Sequence, residues 1–176
     1  MAARSATRRL VLVRHAKSAR PVGVPDHERA LSGRGRRDAQ AAGKWMLAEG
    51  PRPDLALCST AVRARQTLAL VAGGLGDDPG PEVVYDRRIY GASATDLLER
   101  LREVPAAVRS VMLVGHQPGI QDLALALVGR GAGLDRLSGK FPTAALATIA
   151  APPPWSGLER GDGTVVGMVK PKQLPG

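Results

Sequence analysis

The sequence predicts an α/β fold in which helices cover both faces of a mostly parallel sheet. Short apolar runs rich in valine and leucine, typical of strands buried on both faces, recur along the chain. Longer segments with apolar residues at helical spacing separate these runs. Strands that alternate with helices indicate βαβ units. The 176 residues contain no internal repeat and no linker-like stretch, so we expect one domain over residues 1–176.

The predicted elements follow one another after a loose lead-in at residues 1–7. The strands are expected at residues 8–14, 55–58, around 83–84, 111–114 and 144–150, with an edge strand at 164–169. The helices are expected at 33–48, from Ser59 to about 75, at 93–102 and at 118–128. Ser32 can cap the first helix, and Gly50-Pro51 stops it. The stretches 19–30 and 129–139 are expected to be loops.

The chain carries a formal net charge of +9, almost all of it from arginine. A basic balance is compatible with three partners: nucleic acid, an acidic lipid surface or a phosphorylated substrate. The basic residues are dispersed rather than gathered in one run, and aromatic residues that could stack on bases make up only 3% of the chain. Composition therefore favours a dispersed surface charge, with a phosphate site as the second interpretation and nucleic acid unfavoured.

Cys58 is the only cysteine, which excludes an intramolecular disulfide and a cysteine-based zinc site. At the end of a predicted buried strand, it is expected to be a small core residue rather than a nucleophile. No apolar run approaches the ~18 residues of a membrane span, and residues 1–9 lack the apolar middle of a secretory signal. We therefore expect a cytoplasmic protein without a membrane partner.

Basic and imidazole side chains follow two of the predicted strands at the point where each strand ends. Arg14 and His15 end the first strand, and His116 follows the strand at 111–114. In parallel α/β sheets, ligands bind at the carboxyl ends of the strands. Arg63 lies just inside the helix after the second strand, where a helix N-terminus favours anions. These residues are expected to meet at one anion pocket.

A neutral imidazole at a strand end can attack phosphorus and form a phosphohistidine, which divides one difficult displacement into two easier steps. The attacking nitrogen must be unprotonated, and the other ring nitrogen then usually holds its proton against a backbone carbonyl. Nearby arginines lower the pKa of His15 and bind the phosphoryl oxygens. Since phosphoryl transfer depends mainly on positioning and charge stabilisation, two histidines and two arginines are sufficient for it in outline.

The candidate residues belong to ordered sequence blocks within roughly residues 8–150. Four of the blocks are Leu12-Val13-Arg14-His15-Ala16-Lys17-Ser18, Leu31-Ser32-Gly33-Arg34-Gly35, Ser59 with Arg63-Ala64-Arg65-Gln66-Thr67, and Val114-Gly115-His116-Gln117-Pro118. The fifth is Phe141-Pro142-Thr143-Ala144-Ala145-Leu146-Ala147. The first four blocks resemble the histidine phosphatase superfamily, and the fifth resembles its short, SixA-type branch. The dipeptide Arg-His alone would be a weak match, whereas the ordered set is specific.

The resemblance implies a three-layer α/β/α sandwich of the phosphoglycerate mutase-like type and a phosphatase that uses neither a metal nor another cofactor. It implies that His15 is the nucleophile and that Arg14 and Arg63 bind phosphate. It also implies that His116 stabilises charge on the transferring group. The same blocks supply three further substrate-binding candidates, which are Lys17, Ser18 and Gln117.

Three features depart from the superfamily pattern. Ala16 replaces the glycine usual after Arg-His, and Pro21 stands where many larger relatives place a phosphate-contacting asparagine. The carboxylate that protonates the leaving group in larger branches has no clear counterpart, with Asp86 and Glu82 as weak candidates. A missing acid disfavours alkoxide leaving groups, whereas the imidazole of a phosphohistidine can be protonated before it leaves. Phosphohistidine or an activated ester is therefore the favoured substrate.

The favoured hypothesis is a SixA-like protein phosphohistidine phosphatase that acts through a covalent intermediate on His15. The alternative enzyme is a small-molecule phosphomonoesterase of the same superfamily, and the alternative class is a basic domain that binds phosphate or nucleic acid without turnover. His27 lies in a polar loop and is expected to be solvated, with a place at the pocket entrance as the alternative. Gly139-Lys140 is not a P-loop, because Phe141 replaces the required Ser or Thr.

Overall fold

The computed structural model of the protein describes residues 6–76 and 79–174, which fold around one six-stranded sheet. The strands are β1 (Arg8–Arg14), β2 (Leu55–Cys58), β3 (Glu82–Tyr85), β4 (Ser110–Gly115), β5 (Leu146–Ala151) and β6 (Thr164–Val169). Their order across the sheet is β3-β2-β4-β1-β5-β6. Strands β1 to β4 are parallel, and β5 and β6 are antiparallel to their neighbours. The predicted α/β fold with a mostly parallel sheet is confirmed; most of the predicted lead-in lies outside the described residues.

Helices cover both faces of the sheet, because successive strand residues point to opposite sides. The helices are α1 (Gly33–Glu49), α2 (Val62–Gly73), α3 (Ala94–Arg102), α4 (Gly119–Val128) and α5 (Leu134–Ser138). Val11 and Val13 of β1 share an apolar cluster with the inner residues of α1 and α2. Leu10 and Leu12 share the opposite cluster with α3 and α4, which completes the three layers. None of the helices within the described ranges is long and apolar enough to cross a membrane.

Helix α2 begins three residues later than predicted, at Val62, and the two hydroxyls expected to open it lie within hydrogen-bonding distance of histidines. The Oγ of Ser59 lies 2.7 Å from Nε2 of His116. The Oγ1 of Thr60 lies 2.8 Å from Nε2 of His27. Serine and threonine before a helix are ordinarily capping residues, so the sequence alone favoured the earlier start.

The turn before β5 is tied to the end of β1, and it delays the start of β5 from the predicted 144 to Leu146. Ala144 has a φ of 62°, in the left-handed region, which interrupts strand geometry. Its N–H donates to the carbonyls of Arg14 and His15 at 3.1 and 3.2 Å. Helix α5 lies inside the stretch predicted as a loop, since its five residues are too few to show a helical period.

The register of the sheet brings the ends of β1 and β4 together. Arg14 pairs with Gly115, and the N–H of His15 donates to the Gly115 carbonyl at 3.0 Å. His116 follows Gly115 directly. The two histidines therefore leave the sheet at the same carboxyl edge, as the strand pattern predicted.

Candidate active site

His15 is held in one tautomer at the end of β1. The residue is 8% exposed, and its Nδ1 lies 2.8 Å from the carbonyl oxygen of Ala16. A carbonyl oxygen can only accept a hydrogen bond, so Nδ1 carries the proton and Nε2 is unprotonated. The N–H of Ala16 is fixed in turn by Thr67 Oγ1 at 2.9 Å. Nε2 is therefore the ring nitrogen whose lone pair can act as the nucleophile toward phosphorus.

Arg63 is the second residue of α2, and it reaches both histidines. Its side chain is almost fully buried, with the residue 5% exposed. The Nε donates to Nε2 of His15 at 3.4 Å, and Nη2 lies 3.5 Å from Nδ1 of His116. The structure therefore brings Arg63, His15 and His116 together at one point, where the sequence placed them.

His116 lies opposite His15 across Arg63. The ring centroids of the two histidines are 5.1 Å apart, with the planes inclined by 52°. Because Arg63 can only donate, Nδ1 of His116 accepts and Nε2 carries the proton, which it donates to Ser59 Oγ at 2.7 Å. The tautomer of His116 is thus set by Arg63, and Ser59, a residue that the sequence pattern assigns to a helix start, accepts the proton of Nε2 in a hydrogen bond.

Arg14 approaches the pocket from β1 and is anchored by the 141–147 segment. Its Nη1 donates to the carbonyl of Phe141 at 3.0 Å. Burial lowers the pKa of the Arg14 guanidinium, which still remains charged at any working pH. Its Nε is buried and makes no hydrogen bond with the described residues. One charged donor of Arg14 is therefore not used by the surrounding protein.

Both histidines are neutral in the ligand-free site. Burial lowers the pKa of His15 to about 4, and the charges of Arg63, Arg14 and Arg29 lower it further against the raising effect of the Ala16 carbonyl. Burial also lowers the pKa of His116 to about 3, followed by the effects of His15 and Arg63. The sequence anticipated the arginine contribution, but removal from water is the larger cause.

Asp26 is the main site residue that the sequence reasoning missed. It begins a short 3₁₀ turn, Asp26–Glu28, in the loop after β1. Its Oδ2 accepts from Arg63 Nη2 at 3.0 Å and from the Tyr90 hydroxyl at 2.7 Å, and its carbonyl accepts from Arg63 Nη1 at 2.6 Å. Tyr90 first, then Arg29 and Arg63, hold the pKa of this carboxyl below its usual range. An ionised carboxylate therefore occupies the oxygen-binding face of Arg63.

The same loop supplies a second arginine and a third histidine. Arg29 donates to Asp26 Oδ1 at 2.8 Å and to Ser18 Oγ at 2.7 Å, so the hydroxyl of Ser18 is already bound within the protein. His27 is half-buried between Thr60 and the Tyr90 ring, whose centroid is 4.9 Å away. The prediction of a solvated His27 is therefore wrong. A proline-rich loop has no periodicity from which this packing could be read.

Two further substrate-binding candidates are not hydrogen-bonded to the cluster in the described part of the chain. The side chain of Lys17 is exposed, and its carbonyl accepts from Ser32 N at 2.9 Å. Gln117 caps the start of α4, where its Oε1 accepts from Gln121 N at 3.1 Å and its Nε2 donates to Gln121 Oε1 at 2.8 Å. Neither side chain makes a hydrogen bond to Arg63, His15 or His116 among the described residues.

The weak candidates for a general acid are placed unfavourably. Glu82 is the first residue of the parallel strand β3, at the edge of the sheet opposite the histidines. Asp86 is at the correct edge, but it accepts from Arg88 at 2.8 Å and from Arg100 at 2.6 Å. These arginines, Arg88 first, lower the pKa of Asp86 to about 2, so it holds no proton to donate. The structure thus speaks against both residues as proton donors.

Cys58 is fully buried at the end of β2, and burial raises the pKa of its thiol to about 12. It is a core residue, as predicted. Across residues 6–76 and 79–174, no three side chains of histidine, cysteine, aspartate or glutamate are grouped so that they could hold a metal ion. The described site itself is built from imidazole, guanidinium and carboxylate groups.

Comparison with known proteins assigns the chain to a family. The family model described as the histidine phosphatase superfamily (branch 1) matches residues 10–97. The uncharacterized protein Rv1276c of Mycobacterium tuberculosis is 41% identical over 164 residues, which cover 91% of this chain and 100% of that protein. The chain belongs to the histidine phosphatase superfamily.

Two solved structures share the fold over nearly its whole length. The protein from Nakamurella multipartitia, described as a candidate phosphohistidine phosphatase SixA, has a TM-score of 0.84 at 31% identity, with 94% of this chain and 97% of that chain covered. The protein described in the same way from Agrobacterium tumefaciens has a TM-score of 0.78 at 30% identity, with 94% and 99% covered. The resemblance to the SixA-type branch and to the phosphoglycerate mutase-like fold is confirmed. These relationships support phosphatase activity.

Proposed function

We propose that the protein is a phosphatase that transfers a phosphoryl group to His15 and then to water, with a phosphohistidine on a protein as its substrate. The observation that carries the proposal is the unprotonated Nε2 of His15, which lies 3.4 Å from Arg63 Nε in a buried pocket shared with His116. A neutral nucleophile beside fixed cationic donors is the arrangement that phosphoryl transfer requires.

In the first step, the phosphoryl oxygens bind the guanidinium groups of Arg14 and Arg63, and they replace the Asp26 carboxylate at Arg63 Nη2. The Nε2 lone pair of His15 gives up its hydrogen bond from Arg63 Nε and forms a bond to phosphorus as the bond from phosphorus to the leaving group breaks. Arriving negative charge raises the pKa of His116, which can then donate to a phosphoryl oxygen. Donors that are already oriented cost no reorganisation as charge develops, which is the main source of stabilisation.

In the second step, a water molecule attacks the phosphorus of the phosphohistidine. The bond from phosphorus to His15 breaks, its electron pair returns to Nε2, and the water loses a proton to the surrounding solvent to give inorganic phosphate. The Ala16 carbonyl keeps the proton on Nδ1 throughout, so the departing imidazole is already in the tautomer that reacts in the next cycle. Each step needs groups that this chain itself supplies, and we propose that turnover requires no metal.

The ionised state of two carboxylates in the described part of the chain, Asp26 and Asp86, supports phosphohistidine as the substrate. Asp26 is ionised by its three hydrogen-bonding partners, and Asp86 is held by two arginines. An alkoxide leaving without protonation is a poor leaving group, whereas the imidazole of a phosphohistidine is protonated by solvent before its bond breaks. The SixA proteins with 30% and 31% identity are described as phosphohistidine phosphatases, which agrees with this choice.

The proposal is tested by trapping the intermediate. A phosphohistidine peptide labelled with ³²P is mixed with the protein, quenched in alkali and mapped, and the label is expected on residue 15. His15→Ala is expected to lose about 10³–10⁵-fold in kcat/KM, by analogy with other covalent nucleophiles. A chelator is expected to leave the wild-type rate unchanged. Label on a different residue, or a folded His15→Ala protein that keeps its activity, would refute the proposal.

A small phosphorylated molecule is the second candidate substrate. A cavity of about 470 Å³, lined by Pro25, His27, Glu28, Thr60, Arg87 and Tyr90, adjoins the site through Tyr90. Its volume is within the range of small-molecule sites. Turnover numbers for the phosphohistidine peptide, an aryl phosphate and a panel of sugar phosphates distinguish the two candidates: preference for a sugar phosphate over the peptide selects the second.

A further inference from the structure

A basic cleft lies beside the phosphate pocket, and the mechanism does not use it. We define the basic cleft by its four cationic residues, Arg34, Lys140, Lys170 and Lys172. It has a volume of about 390 Å³, and no acidic or aromatic side chain of the described residues lines it. Lysine is scarce in this arginine-rich chain: three of its five lysines line this one cleft. Dispersed surface charge does not account for that concentration.

A neighbouring depression extends the basic surface. It has a volume of about 410 Å³, shares Lys170 and Gln173 with the basic cleft, and adds Arg136. Lys140, Lys170 and Arg136 make no ion pair with any residue in 6–76 or 79–174, and neither does Lys172. Arg34 has a long contact of 3.6 Å with Asp38, which leaves most of its charge exposed. The cations are therefore available to an external anion.

The basic cleft is connected to the phosphate pocket through the sheet. Val13, which precedes Arg14, pairs with Leu146 of β5, and Leu146 pairs with Val169 of β6. Neighbouring strands are ~4.8 Å apart, so Val169 lies roughly 10 Å from Val13. Lys170 follows Val169 at the same edge of the sheet that carries the histidines.

A second connection runs through the turn before β5. The Phe141 carbonyl accepts from Arg14, and its neighbours Lys140 and Pro142 line the basic cleft. One short segment thus contacts the phosphate pocket on one side and the basic cleft on the other.

We infer that the basic cleft binds acidic residues that flank the phosphorylated residue of a protein substrate. This inference rests on the proposed function. The strand ends next to the two sites are roughly 10 Å apart across the sheet, a distance that an extended peptide covers in about three residues at ~3.3 Å per residue. Several unpaired lysines suit carboxylates, and the lack of aromatic side chains in the cleft disfavours stacked nucleic-acid bases.

Charge complementarity of this kind acts on association and on KM rather than on the chemical step. The cations lie outside the phosphate pocket, so they are expected to leave kcat unchanged. The basic cleft would thereby select one class of phosphorylated proteins without altering how the phosphoryl group is transferred.

The test compares three substrates. One is a peptide with a single phosphohistidine and glutamates three to five residues away, the second has glutamines in place of the glutamates, and the third is an aryl phosphate. The test variant is Lys170→Glu/Lys172→Glu. The control variant is Lys44→Glu/Arg109→Glu, which makes the same change in net charge at exposed positions on α1 and at the opposite edge of the sheet.

Wild-type kcat/KM is expected to be about tenfold higher for the glutamate peptide than for the glutamine peptide, and high salt should remove the difference. The test variant should lose this preference through KM, with kcat and aryl phosphate turnover unchanged, and the control variant should keep it. Equal behaviour of the two variants, or a parallel loss on the aryl phosphate, would overturn the inference. Two further probes, a small bis-anionic phosphate ester and single-stranded DNA, test the choice of partner. If charge reversal affects only one of these probes and not the glutamate peptide, the choice of a protein partner is overturned.

The two proposals fail in different ways. If the wild-type protein hydrolyses none of the three substrates, the proposed function fails, while anisotropy of a labelled, unphosphorylated glutamate peptide still reports on the basic cleft. If hydrolysis proceeds through His15 but the test variant and the control variant show the same preference between the two peptides, only the docking inference fails.

Discussion

The candidate site is built from two regions of opposite character. His15, Arg63 and His116 lie at the ends of strands or the start of a helix, and His15 and Arg63 are at most 8% exposed. Asp26 comes from a loop, with 53% of its side chain exposed, yet its carboxylate is bound to Arg63. The strands and the helix position the nucleophile and the donors of Arg63, whereas the loop supplies the carboxylate that these donors bind before substrate arrives. Different parts of the chain therefore determine where the catalytic groups lie and what they bind in the ligand-free site.

The largest expected effect among substitutions outside the nucleophile belongs to the regular region. Arg63→Gln removes the donors aimed at the phosphoryl oxygens, and kcat/KM is expected to fall by about 10²–10³-fold. The matched control is Arg65→Gln, two residues further along α2, where the guanidinium lies over the Tyr85 ring at 4.9 Å. Arg65 faces solvent, so its loss is expected to change kcat/KM by no more than about twofold. Steady-state kinetics with an aryl phosphate give kcat/KM for both variants. Similar losses in the two variants would show that Arg63 contributes no more to catalysis than an exposed arginine on the same helix.

The next effect follows from the neutral state of the buried imidazole. The unfolded chain binds a proton on His15 near pH 6.5, whereas the folded protein resists it until about pH 4. The contribution of this group to the free energy of unfolding is therefore complete above pH 6.5 and is lost as the pH falls from 6.5 to 4. The loss amounts to up to about 3 kcal/mol for His15.

Urea unfolding at pH 7 and pH 4 measures this loss, with His15→Gln as the comparison. The variant has no proton to bind at this position, so its stability is expected to fall less between the two pH values. A titration of the ring protons by NMR should give a midpoint for His15 well below 6.5. A midpoint near 6.5, with no difference between the proteins in urea, would show that burial does not control the charge of His15.

A smaller effect is expected from the loop. In Asp26→Asn, the anion that competes for Arg63 Nη2 is replaced by a neutral amide, so inorganic phosphate should inhibit about tenfold more tightly. Glu28→Gln is the matched control, because Glu28 is exposed in the same 3₁₀ turn. Its inhibition constant should not change. Weaker phosphate binding in Asp26→Asn would mean that the carboxylate holds Arg63 in place rather than competing with substrate.

The contrast between the two regions also explains how far the sequence could predict the molecule. Residues on regular elements were placed correctly, because strand ends in a parallel sheet share an edge and a helix start follows its strand. Arg14, His15, Arg63 and His116 all meet these conditions. The fold class followed from the same alternation of strands and helices.

The parts that were missed depend on contacts between distant segments. Ser59 and Thr60 looked like helix caps, but their hydroxyls bind His116 and His27. Asp26 and Tyr90 are 64 residues apart, and nothing in either local sequence indicates that they share a hydrogen bond. One signal was available: an Asp-Xaa-Xaa-Arg spacing at 26–29 within a loop that leaves the predicted active strand. This spacing indicates that Asp26 and Arg29 can pair with each other, but it does not indicate their other partners.

The smallest effect on activity is expected from substitution of Asp86, which the sequence offers as a weak candidate for the general acid. Its charge is committed to Arg88 and Arg100, and Arg100 is itself only 13% exposed. Asp86→Asn is therefore expected to change kcat for an alkyl phosphate by no more than about twofold. It is also expected to lower the free energy of unfolding by about 1–3 kcal/mol, because Arg100 loses the charge of Asp86 as a partner. Rates with alkyl and aryl leaving groups, together with urea unfolding, separate the two effects. If Asp86 were the proton donor, Asp86→Asn would lower turnover of the alkyl phosphate but not of the aryl phosphate. Asp86 would then have to be added to the residues from the loop and the strand ends that form the site.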